Sequence, residues 1–257
     1  MQPLLRIFLP LFSAYLLAEF VLMQDREGEI SGLRRGLCRA ALAATLGYLL
    51  AGCWRAWPIP AAIFLLHGLI DGIWIRQKAR RLPSFLAEHA AHFFAIILIA
   101  LLPLLIPSMR PAFRPAAPWL RPAYFALLTL LSGILLTVQA GSQLIDLAVE
   151  PFLDQMQAAR RALQPEGVEG QDLIRQGFVQ GGRVIGQLER ALILLFVLVD
   201  QPEGVGFLIA AKSLLRFGEI RENTNRMEAE YIIIGTLASF LWGLIVAYGT
   251  RWALSLS

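Results

Sequence analysis

The three histidines of the chain lie in one short stretch, at His67, His89 and His92. His67 opens the run His-Gly-Leu-Ile-Asp, which puts Asp71 one helical turn further along the same face. Glu88 and His92 repeat this i, i+4 arrangement with the order reversed. Imidazole and carboxylate together form a donor set for a divalent metal of the zinc, manganese or iron class. His67, Asp71, Glu88 and His92 are therefore the candidate metal ligands. A metal held there would ionise a water, and Glu19 is the candidate catalytic general base. Tyr15, Arg39 and His89 would stand behind the ligands, His89 because it lies about 100° around the helix from Glu88. Two other readings stay open: a buried ion-pair and hydrogen-bond network that locks helices together, and a proton or ion path.

Depth supports a single cluster. At about 1.5 Å of rise per residue, His67 lies about 13 Å before Arg76 and His92 about 12 Å after Ser84. In an antiparallel hairpin the two histidines, and the two carboxylates, come level. Tyr15 and Glu19 match these depths on the first segment, and Arg35 and Arg39 enter on the second from the same side. A guanidinium cannot ligate a metal and repels it, so Arg39 against Glu19 could make an ion pair in place of one metal.

The elements that carry these residues must be membrane helices. The chain has 257 residues, 57% of them hydrophobic and only 16% charged, with a mean hydropathy of +0.60. A soluble globule of this size cannot hide that many apolar side chains. Disulfide scaffolds, disordered tails and coiled coils are excluded by the same composition. Net charge +4 fits basic loops against anionic lipid headgroups, and no basic-aromatic platform suited to nucleic acid is present. Cys38 and Cys53 fit no zinc spacing.

Stretches long and apolar enough for spans are roughly 3–24, 37–54, 58–75, 84–107, 122–146, 184–200 and 229–254. Segment 203–217 is short enough to be re-entrant or interfacial. The expected fold is all-α, a polytopic bundle of seven or eight membrane segments. It divides into an N-terminal four-helix module (1–107), a Pro-rich loop (108–121) and a C-terminal module (122–257) with an amphipathic excursion at 147–183. Basic residues concentrate in 25–36, 76–83 and 147–183. The positive-inside rule then puts these loops in the cytoplasm and the N-terminus outside, in a multi-pass membrane protein.

A second polar set lies in the C-terminal half. Glu189 and Arg190 sit inside an apolar run and need partners there; Lys212 or Arg216 could pair with Glu189 or Asp200. Arg183, Lys212 and Arg216 are the candidate contacts for a lipid phosphate or another anionic ligand. The competing reading is snorkelling basic residues that flank an interfacial helix. No Ser/His/Asp order or Gly-x-Ser-x-Gly context supports nucleophilic catalysis.

Three runs in the first half, YLLAEFVLMQ (15–24), HGLIDGIWIR (67–76) and FLAEHAAHFF (85–94), resemble domain-of-unknown-function family 3307, bacterial integral-membrane proteins. GGRVIGQLERALILLFVL (181–198), GFLIAAKSLLRFGEI (206–220) and EYIIIGTLASF (230–240) resemble that family's second half. Against its usual pattern, Tyr15 stands in place of His, Glu19 in place of Asp, and Glu88-His89 in place of Asp-Gln. The resemblance implies a bacterial membrane fold and names no reaction. The leading functional expectation is a membrane-embedded metal site near the cytoplasmic side, with metal-dependent hydrolysis as its chemistry. The alternatives are a non-enzymatic membrane component that engages a soluble cytoplasmic partner, and a transporter of an ion or small solute. Whether the chain is an enzyme, and its oligomeric state, stay open at this level.

Overall fold

A computed structural model describes residues 3–22, 32–52, 56–74, 81–109, 120–163, 181–222 and 226–256. All regular structure in them is helical, with no strand among the described residues. The helices are α1 (Pro3–Leu17), α2 (Gly32–Ala51), α3 (Pro58–Trp74), α4 (Leu82–Leu105), α5 (Leu120–Ile134), α6 (Gly141–Leu163), α7 (Gly181–Leu198), α8 (Glu203–Glu222) and α9 (Arg226–Ser255). Among the described residues, four helical stretches are long and apolar enough to cross a membrane: Leu4–Leu22, Leu82–Leu105, Pro122–Ala159 and Ala229–Ser255. Pro58–Trp74 is apolar but shorter. An all-helical chain with four such stretches is compatible with a membrane protein.

Prolines punctuate the helices as their missing N–H dictates. Pro58 opens α3, and Pro83 lies in the first turn of α4, where no in-helix donor is lost. Pro10, Pro103 and Pro151 lie inside helices. The chain divides into two compact units, Met1–Leu136 with Trp252–Ser257, and Thr137–Arg251. The division falls within the helical run that follows α5, and not in the Pro-rich stretch 108–121, most of which lies outside the described residues.

In the first unit, α1 packs against α2, α4 and α5, and α3 packs against α2 and α4. The α1–α5 contact explains why α5 groups with the first four helices. The buried Ser13 and Ser132 hydroxyls meet at 2.8 Å, and the small side chains let two backbones approach closely. Tyr124 on α5 also donates to the carbonyl of Leu50 at 2.6 Å. Gly47 of α2 lies against Leu11 and Ile63, where a Cβ would meet methyl groups at 3.1–3.2 Å.

Two single π-helical turns interrupt the run of α-helices, at Ala18–Leu22 after α1 and at Leu135–Ala140 between α5 and α6. Such turns are rare and concentrate at functional positions. The second one makes 120–163 continuously helical. The amphipathic run over 150–163, expected to lie on the membrane surface or to pack on the bundle, is therefore the direct extension of a helix long and apolar enough to span.

In the second unit, α7 is the hub. Ile193, Leu194 and Val197 of α7 form a core with Val205 of α8 and Phe240 and Ala247 of α9. The α7–α8 connection turns sharply at Asp200, whose φ of 61° is left-handed, a conformation Asp tolerates better than most residues. The first turn of α8 lies flat on Phe196, because a Cβ at Gly204 would meet that ring at 2.7 Å. Gly204→Ala is expected to cost about 1–3 kcal/mol as an overpacking substitution. Unfolding in mixed detergent–SDS micelles measures it, and an unchanged midpoint would refute the close approach.

Candidate functional site

The first unit gathers the polar residues of four helical elements at one level. Glu19 comes from the π turn, where Ala18, Glu19 and Phe20 are buried in succession. Arg39 comes from α2, His67 and Asp71 from α3, and Glu88 and His92 from α4. His67, Asp71, Glu88 and His92 are each at most 5% exposed, and Glu19 is 8% exposed. The depth argument from sequence therefore holds: residues far apart in the chain meet because each lies a similar distance into its own helix.

The centre of the cluster is the Arg39 guanidinium. Its Nη1 lies 2.6 Å from Glu19 Oε1, and its Nη2 lies 2.9 Å from Asp71 Oδ1 and 3.4 Å from Glu88 Oε1. Nε adds a hydrogen bond to Asp71 Oδ2 at 3.3 Å, so both oxygens of that carboxylate lie against the guanidinium. The pairing of Arg39 with Glu19 is the one the sequence suggested; Asp71 and Glu88 join it.

His92 is fixed by its own helix and by Asp71. Its Nδ1 lies 2.9 Å from the carbonyl oxygen of Glu88. A carbonyl only accepts, so Nδ1 carries hydrogen and donates. Nε2 then faces Asp71 Oδ1 at 3.3 Å. Tyr15 stacks on the His92 ring at 5.0 Å and meets His67 edge-on at 5.5 Å, while the His67 and His92 rings lie 4.7 Å apart. Among the described residues, His67 Nε2 and Tyr15 Oη are buried without a hydrogen-bond partner. The His89 Nδ1 bonds the Phe85 carbonyl, and its ring packs on Phe85 and Phe20.

The four expected metal ligands are thus brought together, with Tyr15 and Arg39 against them. Among the described residues, however, no three His, Cys, Asp or Glu side chains are arranged to share an ion. The physical reason is Arg39. Its guanidinium takes the point on which Glu19, Asp71 and Glu88 converge, and a divalent cation there would be repelled by a positive group that offers no lone pair. The donor set fits a metal in residue type and does not fit one in arrangement while Arg39 is present.

In the second unit, Glu189 and Arg190 are neighbours on α7 that find partners on different sides. Glu189 pairs with Lys212 of α8 at 2.5 Å, and Lys212 also sits 5.5 Å above the Phe240 ring. Asp200 pairs instead with Arg251 at 2.7 Å. Of the three candidate anion contacts, Lys212 is engaged by Glu189. Arg183, 3.7 Å from Asp146, is open to solvent, and the Arg216 side chain lies outside the described residues. Sequence reasoning missed the partners of Arg190: Ser142, Ser239 and the carbonyls of Thr137 and Val138. A π turn leaves no mark in hydrophobic spacing strong enough to announce them.

No family model, no curated protein and no solved structure matches the chain.

Proposed function

We propose that the chain is a non-enzymatic component of a membrane, whose N-terminal helices are locked by a tethered cation where a metallohydrolase would hold a metal. The observation that carries this reading is the Arg39 guanidinium within 2.6–3.4 Å of Glu19, Asp71 and Glu88. Guanidinium and carboxylates buried in an apolar bundle need each other, because an unpaired charge in hydrocarbon is costly. The lock ties α2 to α3, α4 and the turn after α1, the elements whose packing makes the first unit.

The rest of the reading rests on sequence. It comprises seven or eight membrane segments with one re-entrant or interfacial, a bacterial inner membrane with the N-terminus outside, and the kinship with family 3307 carried by its ordered motifs. The partner in this reading is a soluble cytoplasmic protein that meets the end of α6. Its support is that α6 runs on past any membrane thickness with Glu150, Asp154, Gln155 and Gln157 exposed: the stretch Pro122–Ala159 has 38 residues, whereas a bilayer needs about 20.

The alternative reading, a metal site with Glu19 as base, draws on one observation, the buried and unpartnered Nε2 of His67. Elemental analysis of purified protein separates the two. The expected result is metal far below one equivalent, unchanged in His67→Ala and His92→Ala. Near-stoichiometric metal that both substitutions remove would overturn the lock and restore the metal site.

A further inference from the structure

Arg190 poses a different problem from Arg39. It is 2% exposed in the middle of α7, and among the described residues it forms no ion pair. All of its partners are neutral. Nε donates to the Thr137 carbonyl at 2.8 Å and Nη1 to Ser239 Oγ at 2.8 Å. Nη2 donates to Ser142 Oγ at 2.6 Å and to the Val138 carbonyl at 3.3 Å. A guanidinium in an apolar bundle whose hydrogen-bond partners are all neutral is costly, and Asp146 and Glu189 act on it only from beyond ion-pair distance. Its placement must therefore be bound up with what it holds.

Both carbonyls it holds belong to the π turn Leu135–Ala140. An i→i+5 hydrogen bond encloses one residue more than the i→i+4 bond of an α-helix, and a buried carbonyl that loses its in-helix donor there needs one from elsewhere. Gly141 ends the turn for a steric reason. A Cβ there would lie 2.7 Å from Trp242 Cδ1 and 2.9 Å from Arg190 Nε, so only glycine lets the guanidinium reach the backbone. The division of the chain at Leu136/Thr137 falls within the same turn.

We propose that Arg190 is a latch that holds residues 135–140 in the π form and thereby sets the rotational register of α6. Without its donors the run returns to α-helical pairing. Every residue beyond it then turns by one position, about 100°. Residues that α6 now buries come out, and their neighbours go in. The clearest reporter is Val149, buried and in contact with Gly235 of α9, near the end where α6 extends beyond a bilayer's thickness. Asp146 and Glu150, on its exposed face, are the residues whose presentation the latch governs. The inference does not depend on the Arg39 lock or on the identity of any partner.

The test uses the full chain in native membranes with Cys38 and Cys53 changed to Ser, and a water-soluble maleimide. Val149→Cys is expected to be protected, and Asp146→Cys labelled. Adding Arg190→Met is expected to raise labelling at 149 at least tenfold. Removing Val138 from that double variant shortens the turn by one residue, and is expected to bring protection at 149 back. If Arg190→Met leaves 149 protected, there is no latch. If labelling rises and the deletion does not reverse it, the arginine only holds the unit together and the register proposal falls.

Discussion

Arg39→Met is expected to destabilise the first unit by about 3–5 kcal/mol, the scale of a buried ion pair that has lost one partner. The size follows from what remains. Glu19, Asp71 and Glu88 would keep their burial and lose the group on which they converge. Arg39→Lys is expected to recover only part of the loss, because one ammonium cannot reproduce a planar fork that serves three carboxylates. Unfolding in mixed detergent–SDS micelles, followed by helical circular dichroism, measures both. A loss below about 1 kcal/mol in Arg39→Met would put the pair in the class of surface ion pairs and remove the lock as an explanation. Full recovery by lysine would show that charge alone matters, and not the fork.

The second large effect lies at the Glu189–Lys212 pair. Either Glu189→Leu or Lys212→Met alone is expected to cost about 3 kcal/mol or more, because each strands the other charge between α7 and α8. The double variant is expected to cost much less than the sum. Removing both charges removes their desolvation, and Lys212 already lies against the Phe240 ring, where methionine packs well. A double-mutant cycle in the same unfolding assay reads the coupling. Additive costs would mean that the two side chains do not depend on each other, despite their 2.5 Å contact. This experiment also separates the units, since every residue in it belongs to Thr137–Arg251.

Composition and spacing already contained much of this. A chain so apolar is expected to be helical in a membrane, because only helices and closed barrels satisfy their own backbone in lipid, and the apolar runs have helical length. Pro58 opens α3 and Pro83 sits in the first turn of α4, positions that a missing N–H tolerates. The i, i+4 spacing of His67 with Asp71 and of Glu88 with His92 put each pair on one face, and counting rise per residue brought the pairs to one depth. The pairing of Glu189 with Lys212 was one of the options that spacing allowed. These features are local, and local geometry follows from chain order alone.

Whether the cluster has a metal or a guanidinium at its centre could not be read that way. The residues that spacing selects are the same in both cases; the difference is whether the side chain of Arg39, from another helix, reaches the point where Glu19, Asp71 and Glu88 converge. The packing of α2 against α1 and α3 decides it. The same holds for Arg190, whose partners lie on elements far away in sequence, at a π turn that shifts the helical register by a single residue. Residue types and their depths are set by the chain's own period. The occupant of the point where several helices meet is set by how they pack.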